Sequence, residues 1–214
     1  MTYGLQVSNA SGYLQVDELY ENYALVQEGT STTTSRVSVP NLGGPLNSLV
    51  FVRLPVGKGI AGCHTFLDWF YLLKVIGDPD FTFEYRVYRR NGQLPITQVT
   101  HGFMVFNSGG GLVFDSSRRY PRLKSVSIVN PSTVKLPTTV PGIGINPWVY
   151  ANTYGTYKFV NRGGYYLDWH DLCLTVQSDY SILLTSKLSG SNAGMQLLQS
   201  PFYVGGPRQI LLSI

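Results

Sequence analysis

A chain of 214 residues with 13% charged side chains, 23 glycines, 12 prolines and 15 tyrosines has the length for one large domain or two of about a hundred residues, under a surface poor in charge. Its net charge of +4 comes from Lys and Arg scattered in runs no longer than two, which argues against a phosphate-tracking stripe and against nucleic acid as the partner. No basic and apolar leader opens the chain, the longest apolar stretch (FLDWFYLLKVIG) is broken by Asp68 and Lys74 and is too short for a bilayer, and two cysteines are too few for a disulfide scaffold, so the expectation is a soluble protein made in a cytoplasm, without membrane insertion.

Taken in order, the elements begin with YGLQVSNASGYLQVD, which reads as a hairpin: Val7 lies on one strand, NASG turns through positions that need positive φ, and YLQVD returns with alternating side chains. Asp17 ends the returning strand, where a carboxylate accepts hydrogen bonds from the next turn. LVFVRLP and FTFEYRVYRR are further strand runs bounded by Gly, Pro, Asn and Asp. Between them, CHTFLDWFYLLKVIG is long enough for a helix but reads as two strands turning at Gly77 to Asp80. Cys63 in this stretch, and Cys173 later, are expected as small buried apolar residues.

After NGQLPITQVT the pattern starts again. At an offset of 98, Gly4 meets Gly102, Val7 meets Val105, Asn9 meets Asn107, Gly12 meets Gly110, Leu14 meets Leu112, Asp17 meets Asp115 and Leu25 meets Leu123. Leu-Asp-Trp at 67–69 returns at 167–169, an offset of 100. These matches predict a tandem duplication and an all-β chain of two antiparallel β-sandwich domains of immunoglobulin-like size, residues 1–97 and 98–214. A jelly-roll or partly open barrel is the alternative, and strand order is not legible. In the second copy YYLDWHDLCLTVQSDYSILL predicts a hairpin turning at Gln177 to Asp179. Trp69 and Trp169, held in matching apolar runs, are expected in the core.

Functional candidates are few. His64, His101 and His170 carry no metal or nucleophile spacing, GKGIAG at 57–62 lacks the Ser or Thr of a phosphate loop, and Asp168 with His170 reads as scaffold because the first copy has Asp-Trp-Phe there. No cofactor and no catalytic residue is expected, and a depolymerase would need a close carboxylate pair that twelve scattered Asp and Glu do not suggest. NPSTVKLPTTVPGIGINP is too proline-rich for a plain connection. With Trp148, Tyr150, Tyr154 and Tyr157 after it, aromatics gained by one copy alone, it is a candidate contact surface for protein or glycan. Charge differs too: residues 1–97 hold seven Lys or Arg against eight Asp or Glu, and 98–214 hold nine against four. Glu18 and Glu21 follow the first shared Asp, whereas Arg118, Arg119 and Arg122 follow the second, so equivalent surfaces of opposite sign could meet each other or two neighbours.

The hairpin pattern from Tyr3 to Asp17, and above all HGFMVFNSGGGLVFDSSRRYPRLKSV, resembles a motif of small tailed-bacteriophage proteins encoded among tail-tip and tail-fibre genes. It covers about 25 residues of each copy. The resemblance implies a structural virion protein of the distal tail, an adaptor holding fibres or neighbouring tail proteins in a multimeric assembly, without catalytic residues. The alternative is a receptor- or glycan-binding module of the tail that meets the host cell surface.

Overall fold

The computed structural model describes residues 6–8, 14–17, 22–43, 47–75, 77–96, 102–121, 125–129, 138–141, 144–151, 160–161, 166–193 and 209–213; for 6–8, 14–17, 125–129, 138, 160–161, 166–172, 186–193 and 209–213 the description covers the backbone. Among the described residues all of the regular elements are strands apart from one short 3-10 turn at Asn91–Gln93. The first half supplies β1 (Gln6–Ser8), β2 (Leu14–Asp17), β3 (Tyr23–Thr32), β4 (Val37–Ser38), β5 (Ser48–Arg53), β6 (Gly59–Thr65), β7 (Trp69–Lys74) and β8 (Thr82–Arg90). The second supplies β9 (Met104–Phe106), β10 (Leu112–Asp115), β11 (Ser125–Val129), β12 (Thr138–Val140), β13 (Val149–Tyr150), β14 (Val160–Asn161), β15 (Tyr166–Val176), β16 (Ile182–Ala193) and β17 (Gln209–Ser213).

Two hairpins, β1–β2 and β9–β10, stand as separate two-stranded sheets. The other strands form two sheets, one ordered β11-β17-β13-β5-β8-β3 and the other β12-β16-β15-β6-β7-β4 with β14 added beside β15. Every pairing is antiparallel. When β3 to β8 are set against β11, β12, β13, β15, β16 and β17, each sheet reads the same from either end. The halves therefore repeat one three-plus-three strand arrangement and meet edge to edge. At the meeting line Val52 pairs with Val149 and Phe51 with Tyr150 in the first sheet, and Ile60 pairs with Leu174 in the second.

This differs from two sandwiches in series, because strand pairing crosses residue 97 in both sheets. The core between the sheets crosses with it. Val50, Val52, Phe83, Val87, Phe70 and Leu72 from the first half pack in one cluster with Val149, Leu174, Val176, Ile182 and Leu184 from the second. Burying an edge of each half removes unpaired backbone groups and joins two small cores, which each half alone could do only poorly. Cys63 and Cys173 are both buried, as their type suggests, and burial pushes the Cys63 thiol up from its ordinary value.

The meeting line is tight at Gly59. A Cβ there would collide with the Thr175 hydroxyl and lie 3.0 Å from the Leu174 carbonyl and from a Val75 methyl. Gly59→Ala is expected to destabilise the protein by about 1–3 kcal/mol through overpacking. In urea the midpoint should fall while the slope stays unchanged.

Two expected turns come out differently. The second-half hairpin is present: β15 and β16 turn at Gln177 to Ser181, where the Gln177 N–H donates to the Ser181 carbonyl (2.9 Å) and Tyr180 takes a φ of 61°. In the first half, however, Gly77 to Asp80 does not close a hairpin, since β7 lies in one sheet and β8 in the other. The chain crosses between layers there. The first-half hairpin is β6–β7, closed by the Phe66 N–H on the Trp69 carbonyl (2.8 Å), with Leu67 76% exposed at its tip. Leu-Asp-Trp is thus a turn at 67–69 and lies within β15 at 167–169, so this match does not join equivalent positions. Trp69 is also not core. Phe70 and Leu72 take the inward face of β7, which leaves Trp69 and Tyr71 half-buried on the outer one.

Candidate functional site

The motif-bearing hairpin of the second half is built largely by side-chain to backbone hydrogen bonds. Asn107 Oδ1 accepts from the Gly109 N–H (3.1 Å) and the Gly111 N–H (2.8 Å), while Gly110 between them takes a φ of 80° that only glycine adopts without cost. At its other end Asp115, its side chain fully buried, accepts from the Ser117 N–H (2.9 Å) and the Ser117 hydroxyl (2.6 Å) on Oδ1. This is the strand-ending role expected of the shared Asp. Arg118 Nε stands 3.0 Å from Oδ2, an ionic contact rather than an aligned hydrogen bond.

From this base the hairpin reaches across to the first half. The Val113 carbonyl accepts from the Asn22 N–H (3.3 Å) and from Asn91 Nδ2 (2.8 Å). Asn91 Nδ2 also donates to the Tyr120 hydroxyl (2.9 Å), which in turn donates to the Asp115 carbonyl (2.9 Å) and accepts from the Asp115 N–H (2.7 Å). Arg118 donates to Asn91 Oδ1 (3.0 Å) and to the Pro95 carbonyl (2.7 Å). Alongside, the Leu25 N–H donates to the Arg119 carbonyl (2.7 Å) and Arg119 pairs with Glu28, which Arg86 also holds at 3.1 Å. Asn91 is fully buried, so its three side-chain bonds are made away from water, where leaving them unmade is costly.

Of the residues singled out by sequence, Arg118 and Arg119 therefore meet here, with partners in the first half. Among the described residues the opposite charge that Arg119 finds is Glu28; Glu18, Glu21, Arg122, Tyr154 and Tyr157 lie outside the described residues. Asn91, Glu28 and Tyr120 escaped sequence reading. Tyr120 could have been found, as a Tyr five residues after the strand-ending Asp is well placed to clamp that strand end.

Burial changes the charge balance at Asp115. Desolvation works against its ionised form, but the Ser117 hydrogen bonds and the Arg118 charge outweigh it and hold the carboxyl below the usual carboxylate range. A pKa lower in the folded than in the unfolded state contributes stability that is complete above the unfolded value of about 4 and is lost as pH falls through the folded one. Glu28, held down by its hydrogen bond to Arg119, and Asp179, held down by Ser181, fade in the same window. Unfolding midpoints measured between about pH 2 and pH 7 should accordingly drop on acidification, and Asp115→Asn should be less stable near neutrality with a shallower acid limb. An unchanged limb in that variant would remove Asp115 from the balance.

Trp148 and Tyr150 stand elsewhere. Trp148 is 6% exposed and belongs to a second cluster with Phe51 and Tyr88, on the outer face of the first sheet, against which Tyr23, Leu25, Leu49 and Tyr150 pack. The guanidinium groups of Arg53 and Arg86 lie over its ring at 4.5 and 4.3 Å. As an open contact residue Trp148 is thus misplaced by the sequence reading: the two arginines and the neighbouring rings cover it. The proline-rich stretch before it is not one free loop either, since Thr138–Val140 pairs with β16 as an edge strand. Asp168 and His170 both lie in β15, with a register shift between Trp169 and His170 that breaks the simple alternation.

Sequence reading also missed an aromatic group on the outer face of the second sheet. Phe66 stacks on Trp69 (3.8 Å between centroids), Trp69 on Tyr71 (5.6 Å) and Tyr71 on His64 (5.2 Å), and Arg36 sits over the Trp69 ring at 4.4 Å. The signal was weak because β7 is apolar on both faces. Among the described residues no group of three or more His, Cys, Asp or Glu could hold a metal ion, and no helix is long and apolar enough to cross a membrane. No family model, no curated protein and no solved structure matches the chain.

Proposed function

We propose that this chain is a non-enzymatic structural protein of a bacteriophage tail tip or baseplate, an adaptor that holds fibres or neighbouring tail proteins. In this reading two copies of one ancestral unit, meeting near residues 97 and 98, kept a common strand plan while their hairpins and outer faces diverged. One observation carries it: the hairpin bearing the phage-like motif, β9–β10, is used as a clamp that grips the other half through Asn22 and Asn91, while Arg119 just after it pairs with Glu28. A motif that binds one copy to the next within a chain is suited to binding neighbours in a multimeric particle, and the scarcity of charge suits surfaces covered by subunits. Receptor binding through Trp148 and Tyr150 is not part of the proposal, because Trp148 is buried beneath Arg53 and Arg86 and Tyr150 packs against the same cluster.

Mass spectrometry of purified particles of the phage encoding this chain tests the reading. The chain should be present at a few to a few dozen copies per particle and should co-purify with tails separated from heads. Its absence from intact particles would overturn the assignment.

A further inference from the structure

The outer face of the second sheet carries an open concavity of about 470 Å³, lined by Thr33, Thr34, Arg36, Phe66, Trp69 and Tyr71. That volume lies in the range of small-molecule sites, roughly 300–1,000 Å³. Its wall is ordered before any ligand arrives: the Phe66 and Trp69 rings stack within 15° of parallel, and Trp69 and Tyr71 within 21°. Phe66 nevertheless stays 41% exposed, so apolar ring surface remains open. Thr33 and Thr34 in the lining belong to the turn between β3 and β4, where the Thr32 hydroxyl lies 3.1 Å from that of Thr34 and 2.9 Å from that of Ser35.

Arg36 gives the groove its sign. The residue is exposed, its guanidinium lies on Trp69, and among the described residues it forms no ion pair with any carboxylate and donates no hydrogen bond. An arginine held against a ring keeps N–H donors suited to an anion, in a fork that matches a carboxylate. Rings, hydroxyls and one free cation together favour an occupant with an apolar C–H face, several hydroxyls and a negative charge. Sugar C–H bonds carry slight positive charge that suits the negative face of an aromatic ring.

The geometry points to a binding site for acidic saccharides, those built from uronic or neuraminic acid, in the groove between Phe66, Trp69, Tyr71 and Arg36. The carboxylate pairs with Arg36, one sugar face lies on the exposed aromatic surface, and the Thr34 hydroxyl side meets the ring hydroxyls. This site is separate from the hairpin clamp, so it stands or falls independently of the tail assignment.

Calorimetric titration and saturation-transfer NMR on the full chain test it, with tetragalacturonate, its neutral methyl ester, sialyllactose and a Glu-rich peptide of equal charge as probes. Tetragalacturonate or sialyllactose should bind with saturation transfer from aromatic protons, and the ester at least about tenfold more weakly, the loss of one charge-assisted hydrogen bond. Arg36→Gln, an exposed change that should leave the thermal midpoint unmoved, is expected to weaken the acid by about tenfold and leave the ester unchanged. Phe66→Ala should weaken both. Failure of both acidic sugars to bind, equal binding of acid and ester, equal binding of the peptide, or an unaltered affinity in Arg36→Gln would each overturn the assignment.

Discussion

Val149→Asp is expected to unfold both halves of the protein together, although only one of them carries the substitution. Val149 is fully buried, pairs with Val52 of the first half on one side and with Ser213 on the other, and belongs to the cluster shared by both sheets. Among the described residues the cluster around Val149 is apolar and offers no cation, so a carboxylate placed there cannot reach water without parting the sheets. The cost is about 5 kcal/mol or more. Set against a total stability of about 5–15 kcal/mol, that is enough to empty the native state or bring it close. Val149→Ala, which removes volume but adds no charge, should cost about 2 kcal/mol and keep the fold. Hydrogen exchange read peptide by peptide gives the decisive comparison. In Val149→Ala the amides of β3 and β8 should lose protection to the same extent as those of β15 and β16, and calorimetry should show one transition whose van't Hoff and calorimetric enthalpies agree. Retained protection in β3 and β8 alone would mean that the halves fold separately.

The second large effect belongs to Trp148→Ala. The indole fills the outer cluster over Phe51 and Tyr88, whose rings meet edge to face at 5.7 Å, and it supports two guanidinium groups. Losing it should cost about 3–5 kcal/mol for the cavity, with up to about 1–2 kcal/mol more for the stacked cations. Arg53 and Arg86 would keep their carboxylate partners, Glu84 and Glu28, so their charges stay compensated while their apolar stems lose cover. Denaturant titration should show a lower midpoint. Trp148→Phe should recover more than half of the loss. A surface contact residue would behave otherwise, leaving the midpoint unchanged.

How much of this was legible in the sequence depends on the range over which each signal acts. Turn chemistry is local, and it was readable: the Asn107 and Gly110 hairpin, the strand-ending Asp115 and the turn at Gln177 are where the residue types place them. Alternation marked the strands but not their sheets. Nothing in VIGDPD distinguishes a chain that folds back beside its own strand from one that crosses to the opposite layer, because either route needs the same Gly, Pro and Asp. The β7 run has apolar residues on both faces, so period two did not say whether Phe70 or Trp69 points inward. The line between Val52 and Val149 was silent for a related reason. A strand buried against its own hairpin and a strand buried against the other half carry the same apolar residues, and only long-range pairing separates them. The repeat itself was visible where it is closest, in the hairpins, while the chance return of Leu-Asp-Trp drew a false correspondence further on.

The way the halves share their sheets also governs how the molecule meets others of its kind. Among the described residues, joining the units leaves four outermost strands, β3, β4, β11 and β12. The longest of these, β3, has the Arg119 backbone lying against Leu25, and β4 and β12 are only two and three residues long. A like arrangement at both ends carries a hazard: any strand addition that succeeds at one end is available at the other, and repeated addition makes a fibre. Short or partly covered rims at β3, β4 and β12 give a stray chain little ladder to pair with, which works against runaway polymerisation at those strands.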